Sequence, residues 1–89
     1  MNMEHQIVEG VLARSVGDSL VLFHPGTERL LTLNACGARV WELLVACGNA
    51  SQIIDRLTGE FAGPEPLIRQ QVLEFLAHLE AEQITRRVA

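Results

Sequence analysis

Lysine is absent from this sequence of 89 residues, whose seven basic side chains are all arginines. The absence excludes a Walker-type nucleotide loop, which needs a phosphate-binding lysine, and an enzyme that forms a Schiff base through lysine. Eleven acidic residues leave a formal net charge of −4. A chain with this charge balance lacks the basic surface that general DNA or RNA binding requires, so no nucleic-acid partner is expected.

Long apolar runs and cysteine-rich motifs are also missing. No apolar segment reaches the ~18 residues of a membrane span. The N-terminus lacks the basic region and apolar core of a secretory signal, so we expect a cytoplasmic protein with no membrane partner. The cysteines, Cys36 and Cys47, fall on one expected helix about 16 Å apart, too far for a disulfide. We therefore expect small buried apolar side chains there, not redox or metal ligands.

Enough apolar residues are nevertheless present to form a core. The chain is 48% hydrophobic and 20% charged, which predicts one small folded domain over residues 1–89. The histidines, His5, His24 and His78, show no metal-binding spacing and are expected to be solvated. With no catalytic motif and no cofactor expected, the composition favours a binding module over an enzyme.

The first third of the chain predicts three short strands at residues 11–16, 20–23 and 30–33. Gly17-Asp18 separates the first pair, and Pro25-Gly26 separates the second pair with residues that suit the centre of a type II turn. Connections this short predict an antiparallel meander.

The remainder predicts three helices. Asn34 is a good N-cap, Gly48 a plausible helix end, and Pro66 suits a first helical turn. The expected bounds are 34–48, from 49 or 51 to about 61, and 66 to about 83, with a short extended tail at 84–88. Three antiparallel strands followed by three helices make an α+β domain.

The third helix carries an apolar stripe for the core, made of Ile68, Val72, Phe75, Leu76 and Leu79. A second strip lies beside it and is formed by Arg69, Leu73, Leu76 and Glu80. Leu73 either widens the core stripe or lines a groove.

The segment Leu33-Asn-Ala-Cys-Gly-Ala-Arg-Val-Trp-Glu-Leu-Leu44 combines a helix cap, a glycine and a tryptophan at fixed offsets. With the strands before it and the helix after it, this segment resembles the PqqD-like family, and the resemblance covers the core of the domain at about 8–84. Members of that family are RiPP recognition elements, or peptide chaperones, which act on ribosomally made and later modified peptides. Within the motif, Gly37 permits close approach of the first helical turn to a neighbour, and Trp41 fills the core.

The resemblance implies a winged helix-turn-helix-like fold that binds the leader segment of a precursor peptide. The leader adds as a strand to the edge of the third strand, in a groove beside the third helix, and is presented to a modifying enzyme such as a radical SAM protein. The implied site residues are Arg29, Leu30, Leu31, Thr32 and Leu33 on the strand and Arg69, Leu73, Leu76, Ala77 and Glu80 on the helix. Arg29 and Arg69 either pair with acidic leader residues or are ordinary surface charges.

Several alternatives stay open at this point. The protein could be a structural docking subunit of a maturation enzyme or, with less support, a nucleic-acid-binding winged helix. The pathway could concern pyrroloquinoline quinone, a lasso peptide or another modified peptide. Many family members have an Asp-Gly turn directly after the Leu-Leu pair, whereas here the helix continues to Gly48. An exposed edge strand would also allow two copies to pair as a homodimer.

Overall fold

The computed structural model describes residues 4–61 and 63–88, and these ranges contain five strands and three helices. In chain order they are β1 (Glu4–Ile7), β2 (Leu12–Val16), β3 (Ser19–His24), β4 (Arg29–Leu33), α1 (Ala35–Cys47), α2 (Ala50–Glu60), α3 (Glu65–Ala81) and β5 (Thr85–Val88). None of the helices in the described ranges is long and apolar enough to span a bilayer.

The predicted meander is confirmed as a three-stranded antiparallel sheet in the order β2-β3-β4. Val16 pairs with Ser19 across a two-residue turn whose first residue, Gly17, has a φ of +60°. This is the position at which a type II′ hairpin turn favours glycine, and such a turn matches the twist of the strands. The α+β class expected from the sequence is therefore the observed one.

The turn between β3 and β4 differs from the prediction. Its left-handed residue is Glu28, with a φ of +58°, and not Gly26 as a type II turn requires. The N–H of Glu28 donates to the carbonyl of His24 at 2.8 Å, and the His24 Nδ1 accepts from the N–H of Gly26 at 3.0 Å. His24 is therefore a buried side chain that organises the turn, and the expectation that it is solvated is wrong.

The helix boundaries follow the predicted caps. The Asn34 side chain accepts from the N–H of Gly37 at 2.9 Å, and Gly48 ends α1 in the left-handed region with a φ of +68°. Asn49 caps α2 in the same way as Asn34 caps α1. Helix α3 ends at Ala81, before the predicted residue, because the chain reverses through a left-handed Gln83 with a φ of +62°.

A second, two-stranded sheet was not predicted in full. The expected tail is strand β5, and it pairs antiparallel with β1, which has no counterpart among the predicted elements. His5 of β1 lies opposite Arg87, and only 7% of its surface is exposed. The expectation of a solvated His5 is therefore also wrong, whereas His78 is exposed.

The core lies between the inner face of the three-stranded sheet and the helices. Leu22 supplies a fully buried side chain from the sheet, and Trp41 of α1 is 7% exposed. Helix α3 packs against α2 and β5, while α1 contacts β3 and β4. Because α3 makes its main contacts away from the sheet, space remains between α3 and the edge strand β4.

Candidate binding groove

Strand β4 is an edge of the three-stranded sheet, and within residues 4–61 and 63–88 no other strand pairs with its outer side. Residues that flank a two-residue hairpin turn exchange both backbone hydrogen bonds, and this pattern then alternates along an antiparallel ladder. Val16 and Ser19 are therefore a hydrogen-bonded pair. Counting along the strands from this pair gives the phase of the ladder, that is, which pairs are hydrogen-bonded in β2, β3 and β4. It follows that Leu31 bonds back to β3, whereas the N–H and C=O groups of Leu30 and Thr32 point to the open edge.

A groove with a volume of about 350 Å³ runs beside this edge. Its walls are β4, the first turns of α1 and one face of α3, and Leu57 and Phe61 of the α2 region also line it. The α3 wall consists of residues three or four apart, so they share one helical face: Ile68, Gln71, Val72, Phe75 and His78. Most of the lining is apolar, and its polar residues are Thr32, Asn34, Gln71 and His78.

Gly37 sets the closeness of α1 to the groove. A Cβ atom at this position would lie 3.3 Å from the Cβ of Leu33 and 3.4 Å from Cε1 of Phe75. Both distances are at or inside ordinary van der Waals contact, so a glycine lets the first turn of α1 approach β4 and α3 together. The close approach predicted for Gly37 is thus present, and its neighbour on α3 is the ring that forms the groove wall.

The helix residues predicted for the site lie elsewhere on α3. Arg69, Leu73, Leu76 and Ala77 line a separate depression next to α2 and β1, where they meet Ile54. Leu76 is 1% exposed and belongs to the core. The predicted placement of this strip beside the third strand is therefore not observed, because the face of α3 that meets β4 carries Ile68 and Phe75 instead.

The two arginines considered for an acidic leader both have partners within the chain. Arg29 Nη1 lies 3.3 Å from Glu82 Oε1, which ties the start of β4 to the end of α3. Arg69 Nη2 lies 2.9 Å from Glu65 Oε1, one helical turn away. These pairs are exposed and contribute little to stability. An acidic ligand would have to displace Glu82 or Glu65.

Glu80 lies at the small sheet and not in the groove. Its Oε1 is 3.2 Å from Arg87 Nε and 3.5 Å from His5 Nδ1. Neither ring nitrogen of His5 has a hydrogen-bond partner in the described structure. Burial lowers the pKa of His5, with Glu80 acting to raise it and Arg87 to lower it. His5 is therefore held neutral beside a carboxylate at neutral pH.

The groove contains residues that the sequence predicts to be in the core. The sequence predicts Phe75 and Ile68 in the core stripe, but each is only partly buried because the groove opens beside it. Cys36 was expected to be buried, whereas it is exposed and lies at the groove. For Ile68 and Phe75, the available signal in the sequence is their spacing along α3, but spacing alone does not tell which stripe faces a neighbouring strand.

The groups at the β4 edge and in the groove are suited to binding a ligand. The edge supplies backbone donors and acceptors, and the groove supplies apolar surface with the exposed His78 at its side. Across the described ranges, no group of three His, Cys, Asp or Glu residues is placed to hold a metal ion. The arrangement suits an extended peptide, whose backbone can pair with the edge while alternate side chains enter the groove.

Comparison with known proteins agrees with this geometry. The model of a family described as coenzyme PQQ synthesis protein D (PqqD) matches residues 19–84, from β3 to the end of the turn after α3. A solved structure of TbiB1 in complex with the TbiA(beta) leader peptide is 26% identical, with a TM-score of 0.87, over 94% of this chain and 98% of that chain. No curated protein sequence matches this chain. Since the family model spans most of the sequence, including the Leu-Asn to Leu-Leu motif, the chain belongs to the PqqD family.

Proposed function

We propose that this protein binds the leader segment of a ribosomally made precursor peptide and presents it to a modifying enzyme, without catalysing a reaction itself. The observation that carries the proposal is the open β4 edge beside an apolar groove. Membership of the PqqD family and the similarity to TbiB1, which is bound to a leader peptide, support the same function.

The backbone of β4 would supply the affinity that does not depend on side chains. Leu30 and Thr32 each offer one N–H and one C=O to a strand added at the edge. A backbone hydrogen bond contributes roughly 0.5–1.5 kcal/mol net, so several of them give a substantial but sequence-independent affinity. This is β-augmentation, in which an extended peptide becomes the next strand of the sheet.

Selectivity would come from the groove. Side chains of an added strand alternate between the two faces of the sheet, so every second peptide residue projects towards α3. There it would meet Ile68 and Phe75, with Leu31 and Leu33 on the strand side. We therefore expect an apolar peptide residue at alternate positions. The peptide would contact the other predicted helix residues only where it extends beyond the groove, and this contact stays a prediction. These residues are Arg69, Leu73, Leu76, Ala77 and Glu80.

The partner enzyme is the second half of the proposal. A domain that holds a leader without reacting with it would present the attached peptide to an enzyme that modifies it. A radical SAM protein is one such enzyme, and the modified product could be pyrroloquinoline quinone, a lasso peptide or another peptide. The rival function, a docking subunit that contacts the enzyme but no peptide, leaves the β4 edge and the groove unused.

Affinity capture from the native host's lysate, read by mass spectrometry that retains peptides, tests the proposal. The groove variant Phe75→Ser is compared with Leu67→Ser, which removes an apolar side chain from the same helix outside the groove; Leu67 is 49% exposed. Wild type and Leu67→Ser should retain a short precursor peptide, and folded Phe75→Ser should lose it. Recovery of an enzyme without any peptide, after crosslinking, would instead establish the docking subunit.

A further inference from the structure

The outer face of the three-stranded sheet, which points away from the helices, is unusually apolar. Leu12, Val16 and Leu30 are 62%, 58% and 67% exposed there. The alternation along β3 places Val21 and Phe23 on the same face, since Leu20 and Leu22 point into the core. Antiparallel sheets with one solvated face normally carry polar residues on it. We refer to these five outward residues, Leu12, Val16, Val21, Phe23 and Leu30, as the outer patch.

The outer patch is contiguous across all three strands. Leu12 lies opposite Phe23, and Phe23 lies opposite Leu30, so the three form one row from β2 to β4. The next row contains Arg14, Val21 and Thr32. A contiguous exposed apolar patch is a mark of an interaction site, whereas single scattered apolar residues are not.

Arg14 gives the outer patch a charge preference. It is the one charged residue on the outer face of β2, β3 and β4, and it forms no ion pair within the described structure. A protein partner that covered this face would therefore gain from an acidic side chain opposite Arg14, inside an otherwise apolar contact.

The outer patch also continues into the proposed peptide site. Leu30 belongs to the patch, and its backbone faces the open edge of β4. A peptide strand added at that edge would place every second side chain on the outer face, directly beside Leu30. The loaded protein would thus present a wider surface, made by both molecules, than the free protein presents.

We infer that the outer patch is the docking surface for the enzyme that modifies the bound peptide, and that this enzyme recognises the peptide-loaded form. The inference rests on the proposed function. An enzyme that reads the outer patch and the adjacent peptide residues together would act only on precursors that the protein has selected. Neither surface alone would be sufficient.

A second copy of this chain fits the outer patch less well. A second copy of this chain offers no acidic side chain to Arg14 on this face, because Arg14 is the one charged residue on the outer face of β2, β3 and β4. A stable dimer also buries about 800 Å² on each partner, from roughly 20–30 residues a side. The outer patch has five residues, fewer than such an interface needs, which suits a transient partner whose contact the peptide completes.

Site-specific photocrosslinking in the native host tests the inference. A benzophenone amino acid replaces Leu12 in the full chain, and the control carries it in place of Val45, which is 61% exposed on α1, away from the sheet face. Mass spectrometry should identify a peptide-modifying enzyme as the product from Leu12, severalfold enriched over Val45. The product should disappear when Thr32→Pro is added to block peptide loading.

The opposite results are equally clear. A crosslink between two copies, equal labelling from Leu12 and Val45, or an enzyme crosslink that survives Thr32→Pro would each overturn the inference. Titration of the captured precursor peptide into the wild-type protein separates the two levels. If the peptide binds and Leu12 labels no enzyme, the inference fails while the proposed function stands. If the peptide does not bind, both fail.

Discussion

Thr32→Pro is the most direct perturbation of the proposed peptide edge. The phase of the ladder leaves the N–H of Thr32 pointing away from β3, so its loss removes no hydrogen bond of the sheet. Proline is tolerated on edge strands for this reason. Thr32 is also exposed, so its side chain fills no space in the core. We therefore expect the variant to fold with an unchanged circular dichroism spectrum.

Its effect on peptide binding should be large. The peptide carbonyl that would accept from Thr32 is left without a partner in a partly desolvated contact, at a cost of about 1–3 kcal/mol. That corresponds to roughly a 5- to 150-fold increase in Kd. The proline ring also occupies the space that the incoming backbone needs, which places the expectation at the upper end of this range.

Ala13→Pro provides a matched control. Ala13 pairs with Leu22 between two hydrogen-bonded pairs, so its N–H points to the open edge of β2 on the far side of the sheet. The substitution removes the same chemical group from the same sheet, but at the edge without a groove. Isothermal titration with the captured precursor peptide should give an unchanged Kd for this variant.

Two results would refute the reasoning. A folded Thr32→Pro protein with wild-type Kd would show that β4 does not pair with the peptide backbone. Equal loss of binding in Thr32→Pro and Ala13→Pro would show that the proline acts through the whole sheet. An ester in place of the Leu31–Thr32 amide removes the same N–H without the ring, and it should weaken binding by less than Thr32→Pro does.

Three further predictions concern the scaffold. Trp41→Ala empties a position that is 7% exposed and should lower the free energy of unfolding by about 3–5 kcal/mol, measured by urea denaturation. Gly37→Ala introduces a Cβ 3.4 Å from the Phe75 ring, so it should weaken peptide binding in titrations while the helix content stays constant. Because burial lowers the pKa of His5, the unfolded chain binds the extra proton first and stability should fall as the pH decreases below about 6.5, the ordinary His value. His5→Leu should flatten this part of a plot of melting temperature against pH. The control is His78→Gln, which replaces an exposed histidine. If the plots of the two variants have the same slope, the pH dependence does not come from His5.

The elements that the sequence predicts well are those specified by local signals. Gly17 at the hairpin turn, Asn34 at the start of α1 and Gly48 at its end act on backbone groups within a few residues of themselves. Such signals fix where strands and helices begin and end, whatever the rest of the chain does. This is why the meander and the three helices follow from the sequence, with boundaries close to those observed.

The small β1-β5 sheet depends on a contact that no local signal reports. Glu4–Ile7 has the sequence Glu-His-Gln-Ile, which does not alternate in the way a strand with one apolar face does. Its structure comes from pairing with residues near the other end of the chain, Gln6 with Arg86 among them. The burial of His5 has the same origin, because β5 and the end of α3 cover it.

The spacing of apolar residues also does not predict which face of α3 lines the groove. The helix carries apolar residues on neighbouring stripes, so the sequence allowed either Leu73 or Phe75 to face β4. The choice is made by α2 and β5, against which α3 packs. That packing turns Leu73 towards Ile54 and leaves Phe75 beside Gly37.

Strand β4 uses each of its surfaces for a different purpose. Its inner face sends Leu33 into the core, its open edge exposes the backbone groups of Thr32, and its outer face carries Leu30 into the outer patch. These three roles are compatible because inner and outer side chains alternate along a strand, while the backbone groups of every second residue face one edge. In the proposed function, peptide loading at the edge would therefore change the outer face without disturbing the core. Together, the proposed function and the inferred docking surface would couple selection of a peptide to recruitment of the enzyme that modifies it.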